Sequence, residues 1–387
     1  MRRPLAALIV LLSPGVAASA DLRVPSEFGS LNEALQAAQR CDRILLAPGT
    51  YEGSWFVGVD VLIRGEGGPG DVVLDGDEFG NTLSIAQGAR VENLTITGAA
   101  RGIDMFGPWT EVGGVRFDGL DIGIQASDAS GRIHDSAFTN IGQTGIDANR
   151  SALWIDDTTF TDVPVALEII RGQGRILRAN TTGAGWGARV SQSGLDVLDS
   201  TFADGDTGVF IQGGTTDVLG CRLLRNALGV HVFDADTTLL DNDMQDNGVG
   251  VLTTFAQARI VGNRLSGSTE VAVQDGIGSA SLVASNLLRD NRGAAFLQLA
   301  DTQWRNNTVL GGASGISASG GAPVVRSSIF VGISGVAVDA TSAPDLSSAW
   351  NLFWDVGAEV LGGTQDGSDR VLDPLLDADG LPLAGSP

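Results

Sequence analysis

Lysine is absent from the 387 residues, so all 24 basic residues are arginines, set against 46 aspartates and glutamates. The resulting net charge of −22 makes nucleic acid and anionic membranes poor partners. It also repels a polyuronate unless metal ions or a local arginine cluster intervene. The first apolar run is too short to cross a membrane and no later one is long enough, so membrane insertion is excluded. Histidine and tyrosine are scarce: His134, His231 and Tyr51 are the full set. Cysteine is limited to Cys41 and Cys221, and long amphipathic helical patterns are few. The stretch "LLDNDMQDNGVGVL", Leu239 to Leu252, looks like a calcium loop but lacks the glutamate such a loop needs at its twelfth place. Counted from Asp241 that place holds Leu252, and from Asp243 it holds Thr254.

The opening "MRRPLAALIVLLSPGVAASA" has a basic start, a short apolar core and a final Ala-Ser-Ala. It reads as a secretory signal peptide, residues 1–20, and implies a protein that is secreted, periplasmic or held at the cell surface. No cysteine follows directly, so a lipid anchor is not expected. Residues 21–87 read as an N-terminal cap and first coils, 88–363 as repeats, and 364–387 as a C-terminal segment that stops where the chain is expected to continue.

The repeats carry the fold. "TTDVLGCRLLRNALGVHV", "DTTLLDNDMQDNGVGVL" and "QARIVGNRLSGSTEVAV" follow one another at a spacing of 21. One inward apolar position reads Val91, Val112, Ile133, Ile155, Ile176, Val197, Val218, Leu239, Ile260, Leu282, Trp304, Val325 and Leu346, thirteen repeats spaced by 21 or 22. Three residues further on stands a small or polar residue, such as Ser136, Ser200, Cys221, Asn242, Asn263, Ser285 or Asn307. Two beyond that, apolar side chains return as Phe117, Phe138, Phe160, Phe202, Leu223, Met244, Leu265 and Leu287. Period-two segments separated by turns and repeated every 21 residues describe a coil of parallel strands. Asn242 then belongs to a corner, where it stacks on Asn263 and satisfies buried backbone groups.

This register resembles the right-handed parallel β-helix of the pectin-lyase-like superfamily. "VPSEFGSLNEALQAAQRCDRILLAPGTYEG" resembles that family's N-terminal cap, with Ser30 and Glu33 forming a capping box ahead of a short amphipathic helix. The expected fold class is all-β: a single-stranded right-handed parallel β-helix, a solenoid of ~21-residue coils with a short N-terminal capping helix. The family's active-site signatures are incomplete. "LWIDDTTF", Leu153 to Phe160, resembles the Trp-Ile-Asp-His motif of pectate lyases with Asp157 in the histidine's place. Tyr51 and His231 fall about eight coils apart, ~40 Å at ~4.8 Å per coil, so a Tyr/His lyase pair is disfavoured. Cys41 and Cys221 are likewise too far apart for a disulfide and are expected as two free thiols.

Candidate chemistry lies on outward strand positions. One column reads Asp104, Gln125, Asp147, Glu168, Arg189, Phe210, His231, Leu252, and the next Phe106, Ser127, Asn149, Ile170, Ser191, Gln212, Phe233, Thr254. Directed polar groups beside flat apolar rings suit a polysaccharide or other glycan. Asp147 and Glu168 are candidate catalytic residues: as neighbours they either share a proton, bind a cation such as calcium, or pair with Arg189. Asp104, Arg189, Phe210, His231 and Phe233 are candidate substrate-binding residues. No metal ligand set and no cofactor are implied beyond that calcium option. A separate outward stripe, Leu177, Leu198, Leu219, Leu240, Val261 and Val283, is long for bare solvent. It is expected to be covered by the segment from Leu361, by a protein partner or by a second copy, unless a bend turns it inward. The chain thus reads as an exported carbohydrate-binding solenoid. If it is an enzyme it is a polysaccharide lyase or glycoside hydrolase; the rival reading is a non-catalytic scaffold or adhesion protein.

Overall fold

The structure is a computed structural model that describes residues 19–377, 380–381 and 383–384. The expected signal peptide lies outside the described residues except for Ser19 and Ala20. The chain winds into a right-handed parallel β-solenoid of about 17 turns. One coil shows the plan. Its first limb is Thr144–Asn149, its second Ala152–Asp156 and its third Thr159–Thr161. The next coil stacks on each limb in parallel, with Asp147 beside Glu168, Ile155 beside Ile176 and Phe160 beside Thr181. Third limbs form a 16-stranded sheet, and first and second limbs merge into one of 28 strands. The merging occurs where a strand runs unbroken through the corner, as in Ile122–His134 and Trp186–Leu198.

Each corner needs a residue with positive φ, and the sequence supplies one three times per coil. In the coil that holds the Asp/Asn-rich stretch these are Asp234, Asp241 and Asp246, at φ 47°, 55° and 55°. Short aspartate and asparagine side chains tolerate this region better than other non-glycine residues, so corners select them. After Asp241 and Asp246 come Asn242 and Asn247, which turn inward and are buried. Asn242 donates to the Val218 carbonyl at 2.8 Å and to Asn263 Oδ1 at 2.9 Å, while its own Oδ1 accepts the Cys221 amide at 2.8 Å. The Asp/Asn-rich stretch is therefore a pair of coil corners.

The interior is a continuous apolar column along the solenoid. Phe117, Phe138 and Phe160 stack with centroids 4.5 and 4.7 Å apart, matching the spacing between coils. Their rings lie against glycines: a Cβ on Gly123 would come within 2.6 Å of the Phe138 ring, and one on Gly145 within 2.7 Å of Phe160. Where the coil carries Thr181 in place of a phenylalanine, the glycine column holds Ala166. The methyl of Ala166 thus partly offsets the smaller Thr181 across the core.

Near the N-terminus a helix, Leu31–Ala37, buries Leu31 and Ala34. Ser30 accepts the Glu33 amide, while the Glu33 carboxylate reaches back to the Gly29 amide rather than to Ser30. Cys41 is exposed, Cys221 is buried, and both are free thiols. Cys221 Sγ accepts the Ser200 amide in a serine and asparagine ladder, and burial pushes its thiol up to about 12.

Two coils depart from the expected spacing. Ile260 pairs with Val283, and Val325 pairs with Ser348, so each of these coils has 23 residues. Val283 rather than Leu282 continues the inward column, and Ser348 pairs with Val325 in the second case, where Leu346 is nonetheless fully buried in the core. Asn286 and Leu288, not Ser285 and Leu287, continue their columns. One extra residue of the first expansion is already present on the first limb, where Val249 pairs with Val271, and the other is taken up around Gly276 and Gly278, where Gly278 has φ 72°. Val283 is therefore not part of the outward apolar stripe: it is fully buried, and Ala284 stands beside Val261. Leu177, Leu198, Leu219, Leu240 and Val261 do share one outward column. The segment from Leu361 does not begin a cover for it. Leu361 pairs with Asp339, and Thr364–Gln365 and Arg370–Val371 add further strands to the coil. Gly380 then lies against Leu287 and Leu310 on the third limb, a different face. Among the described residues, no helix is long and apolar enough to cross a membrane.

Candidate functional site

The two outward columns assemble on the first limb in the expected order. Asp104 pairs with Gln125, Gln125 with Asp147, Asp147 with Glu168, Glu168 with Arg189, Arg189 with Phe210 and Phe210 with His231. Parallel pairing without a register shift holds each side chain about one coil from the next, ~4.8 Å. Phe233 sits in the second column beside Gln212, with its ring edge-to-face with Phe255 at 6.2 Å.

The carboxylates have different surroundings. Arg189 Nη1 meets Glu168 Oε1 at 3.1 Å, so of the arrangements open to this pair the ion pair is the one present. Asp147 is half-buried, and burial raises its carboxyl above the ordinary aspartate value, opposed by a hydrogen bond from Gln125. Asp104 accepts from Asn81 Nδ2 at 3.3 Å at the start of the column. Calcium takes six to eight oxygens, and two carboxylates with one already paired fall short of that. Among the described residues, no group of three or more His, Cys, Asp or Glu side chains is placed to hold a metal ion.

The raised value of Asp147 has a consequence for stability. A carboxyl whose folded value exceeds its unfolded value of about 3.9 favours folding most below pH ~4, and loses that contribution as pH rises through the folded value. The charged form therefore costs stability at pH 7. Asp147→Asn keeps an acceptor for Gln125 and should raise the calorimetric midpoint at pH 7 while leaving it unchanged near pH 3. A lower midpoint at pH 7 would show instead that the negative charge is needed there.

Beyond Arg189 the strip becomes aromatic. The Arg189 guanidinium lies over Trp186, 5.4 Å from the ring centroid. Trp186 meets Phe210 edge-on at 5.1 Å, and Phe210 meets His231 in the same way at 5.1 Å. Burial lowers the His231 imidazole below its ordinary value, so the ring is neutral at pH 7. Trp186 is the residue that sequence reasoning missed. Gly187 and Ala188 are two consecutive buried residues, so strict alternation from Arg189 skips it. The recurring outward-in-in-outward order, seen also at Arg101–Asp104 and Val165–Glu168, is the signal that would have found it.

Cavities lie at the neighbouring corner. One of about 780 Å³ is lined by Arg40, Asp60, Arg90, Pro108 and Trp109, and one of about 460 Å³ by Ser130, Arg150, Ala152, Arg171 and Gln173. Neither includes Asp147 or Glu168 in its lining.

A family model described as "Right handed beta helix region" matches residues 101–243 and 207–351, together well over half of the chain. No curated protein matches. Solved structures of similar coil include the A-module of the Azotobacter vinelandii mannuronan C-5 epimerase AlgE6, at 14% identity over 88% of this chain and 92% of that one, TM-score 0.48. The catalytic domain of a GH87 α-1,3-glucanase in complex with nigerose is 10% identical over 95% of this chain and 70% of that one, TM-score 0.43. A tailspike protein double mutant of E. coli bacteriophage HK620 in complex with pentasaccharide is 11% identical over 83% and 72%, TM-score 0.48.

Proposed function

Because the chain belongs to the right-handed β-helix family, whose stacked coils hold side chains in fixed columns, we propose that it binds a hydroxyl-rich glycan along the outer face of the first limb. The observation that carries this reading is the run Arg189, Trp186, Phe210, His231: a cation and three rings in mutual contact on an outer face. Rings outside the core gain little unless something flat covers them, and a sugar ring is flat, apolar on its faces and polar at its edge. Glu168 and Asp147 lie next along the strip and accept from sugar hydroxyls, and Arg189 donates to them. The negative end of the strip favours a neutral glycan over an acidic one. On this reading the chain is exported, and its ligand is met outside the cytoplasm.

The same geometry leaves room for cleavage, with Asp147 as the proton donor and Glu168 as its partner, freed when substrate displaces Arg189. Against this stands the position of the two cavities described above, away from both carboxylates, which favours binding without turnover. The test is a neutral-glycan array followed by titration calorimetry and a reducing-end assay. Trp186→Ala and Phe210→Ala should each weaken binding five- to tenfold or more, about 1 kcal/mol or more per ring. Asp147→Asn with Glu168→Gln should abolish any release of reducing ends. If both ring variants bind every hit as the parent does, the strip is solvated surface and the scaffold reading stands.

A further inference from the structure

The second limb carries a different surface between residues 130 and 178. Ser130, Ala152 and Gln173 form one outward column, Arg132, Trp154 and Arg175 the next, and His134, Asp156 and Leu177 the third. Asp156 points outward yet is fully buried, because the guanidiniums of the coils on either side close over it. Arg132 Nε meets its Oδ2 at 2.9 Å and Arg175 Nε meets its Oδ1 at 3.3 Å. A buried carboxylate this well paired fixes both arginines, each through its Nε, while both remain nearly half exposed. Trp154 stands between them, 41% exposed. The two arginines are two coils apart, about 9.6 Å.

The groove of about 460 Å³ runs beside this column, and its corner edge holds two more arginines. Arg150 is locked by a two-point contact with Asp128 at 2.7 and 2.5 Å. Arg171 donates through Nε to the neutral Gln192 amide at 3.0 Å rather than to a carboxylate. Arg178 pairs with Asp157 at the opposite corner. Five arginines against Asp128, Asp135, Asp156 and Asp157 leave these three coils with a local charge of +1 on a chain of −22. Acids bound it at both ends: Glu111 and Asp135 hold His134 on one side, and Asp196 follows Arg175 on the other. The positive stretch is therefore about three coils long, roughly 14 Å.

We propose that this groove is a binding site for an acidic saccharide, a short carbohydrate segment bearing carboxylate or sulfate groups. One sugar ring stacks on Trp154, and acidic groups on its flanks reach Arg132 and Arg175. Arg150 and Arg171 contact the side of the ligand that lies in the groove. The chain's overall negative charge opposes a long polyanion such as nucleic acid, so recognition is limited to what the arginine island spans. This surface is on a different limb from the aromatic strip and does not depend on it.

The probes are a heparin-derived hexasaccharide, an oligogalacturonate hexamer and neutral maltohexaose, measured by titration calorimetry at 50 and 300 mM NaCl. Binding of an acidic probe, weakened by salt, is expected; because heparin carries both groups, heparin binding without oligogalacturonate binding identifies sulfate, and oligogalacturonate binding shows that carboxylates suffice. Trp154→Ala should weaken it at least tenfold. Arg150→Gln with Arg171→Gln should weaken it similarly and reduce the salt dependence. Glutamine suits this ladder, since Gln192 occupies its next position at φ 51°, and neither substitution disturbs Asp156. Phe210→Ala should leave acidic binding unchanged. The proposal is overturned if neither acidic probe binds, if maltohexaose binds equally well, or if the Trp154 and double arginine variants bind as the parent does.

Discussion

Replacing Phe138 with alanine should cost about 3–5 kcal/mol. The ring is fully buried between Phe117 and Phe160, with near-parallel planes at 5° and 11°. One edge of the ring, at Cδ1 and Cε1, lies against Gly123, which has no side chain with which to fill the void. The coils above and below cannot close the gap, because their spacing is fixed by the backbone ladders on all three limbs. In a solenoid each coil is stabilised mainly by its two neighbours, so the loss is felt locally and splits the array at that level. Urea unfolding should show a lower midpoint and a broadened or two-step transition. Leu223→Ala, in the same column among less bulky neighbours, should cost about 2–5 kcal/mol. A parent-like transition for both would place these side chains outside the core.

The columns were legible in the sequence because parallel stacking without register shift turns three-dimensional neighbours into residues 21 or 22 apart, as at Asp147, Glu168 and Arg189. The same rule failed where a coil grew by two residues. Leu282 and Val283 are both apolar, so composition could not say which one faces inward, and only the pairing of Ile260 with Val283 decides it. Alternation also failed at Trp186, where two buried small residues precede Arg189 and break the period of two. The burial of Asp156 was not legible for another reason. Its cover comes from Arg132 and Arg175, one coil away on each side, and both read as ordinary exposed arginines in isolation. Charge pairing across coils needs the register first and the side-chain directions second.

The asparagine ladder gives the second large effect, and it separates hydrogen bonding from space filling. Asn263 donates through Nδ2 to the Leu239 carbonyl at 2.9 Å, to the Val261 carbonyl at 3.1 Å and to Asn286 Oδ1 at 3.1 Å. Its Oδ1 accepts the Asn242 amide at 2.9 Å and Asn242 Nδ2 at 2.9 Å. Asn263→Leu keeps the branching and heavy-atom count, with somewhat more bulk, but strands these buried groups, at about 1–3 kcal/mol for each one left without a partner. Asn263→Ser loses volume but keeps a hydroxyl of the kind that serves at Ser200 and Ser328, where it accepts the amide of the coil below. The serine variant should therefore be more stable than the leucine variant, with Asn263→Leu falling at least ~2 kcal/mol below the parent in urea titrations. Cys221→Ser, which exchanges one short hydrogen-bonding side chain for another in the same ladder, should change the midpoint little. If the order reverses, with leucine above serine, the column serves only to fill space and the corners are held by the backbone alone.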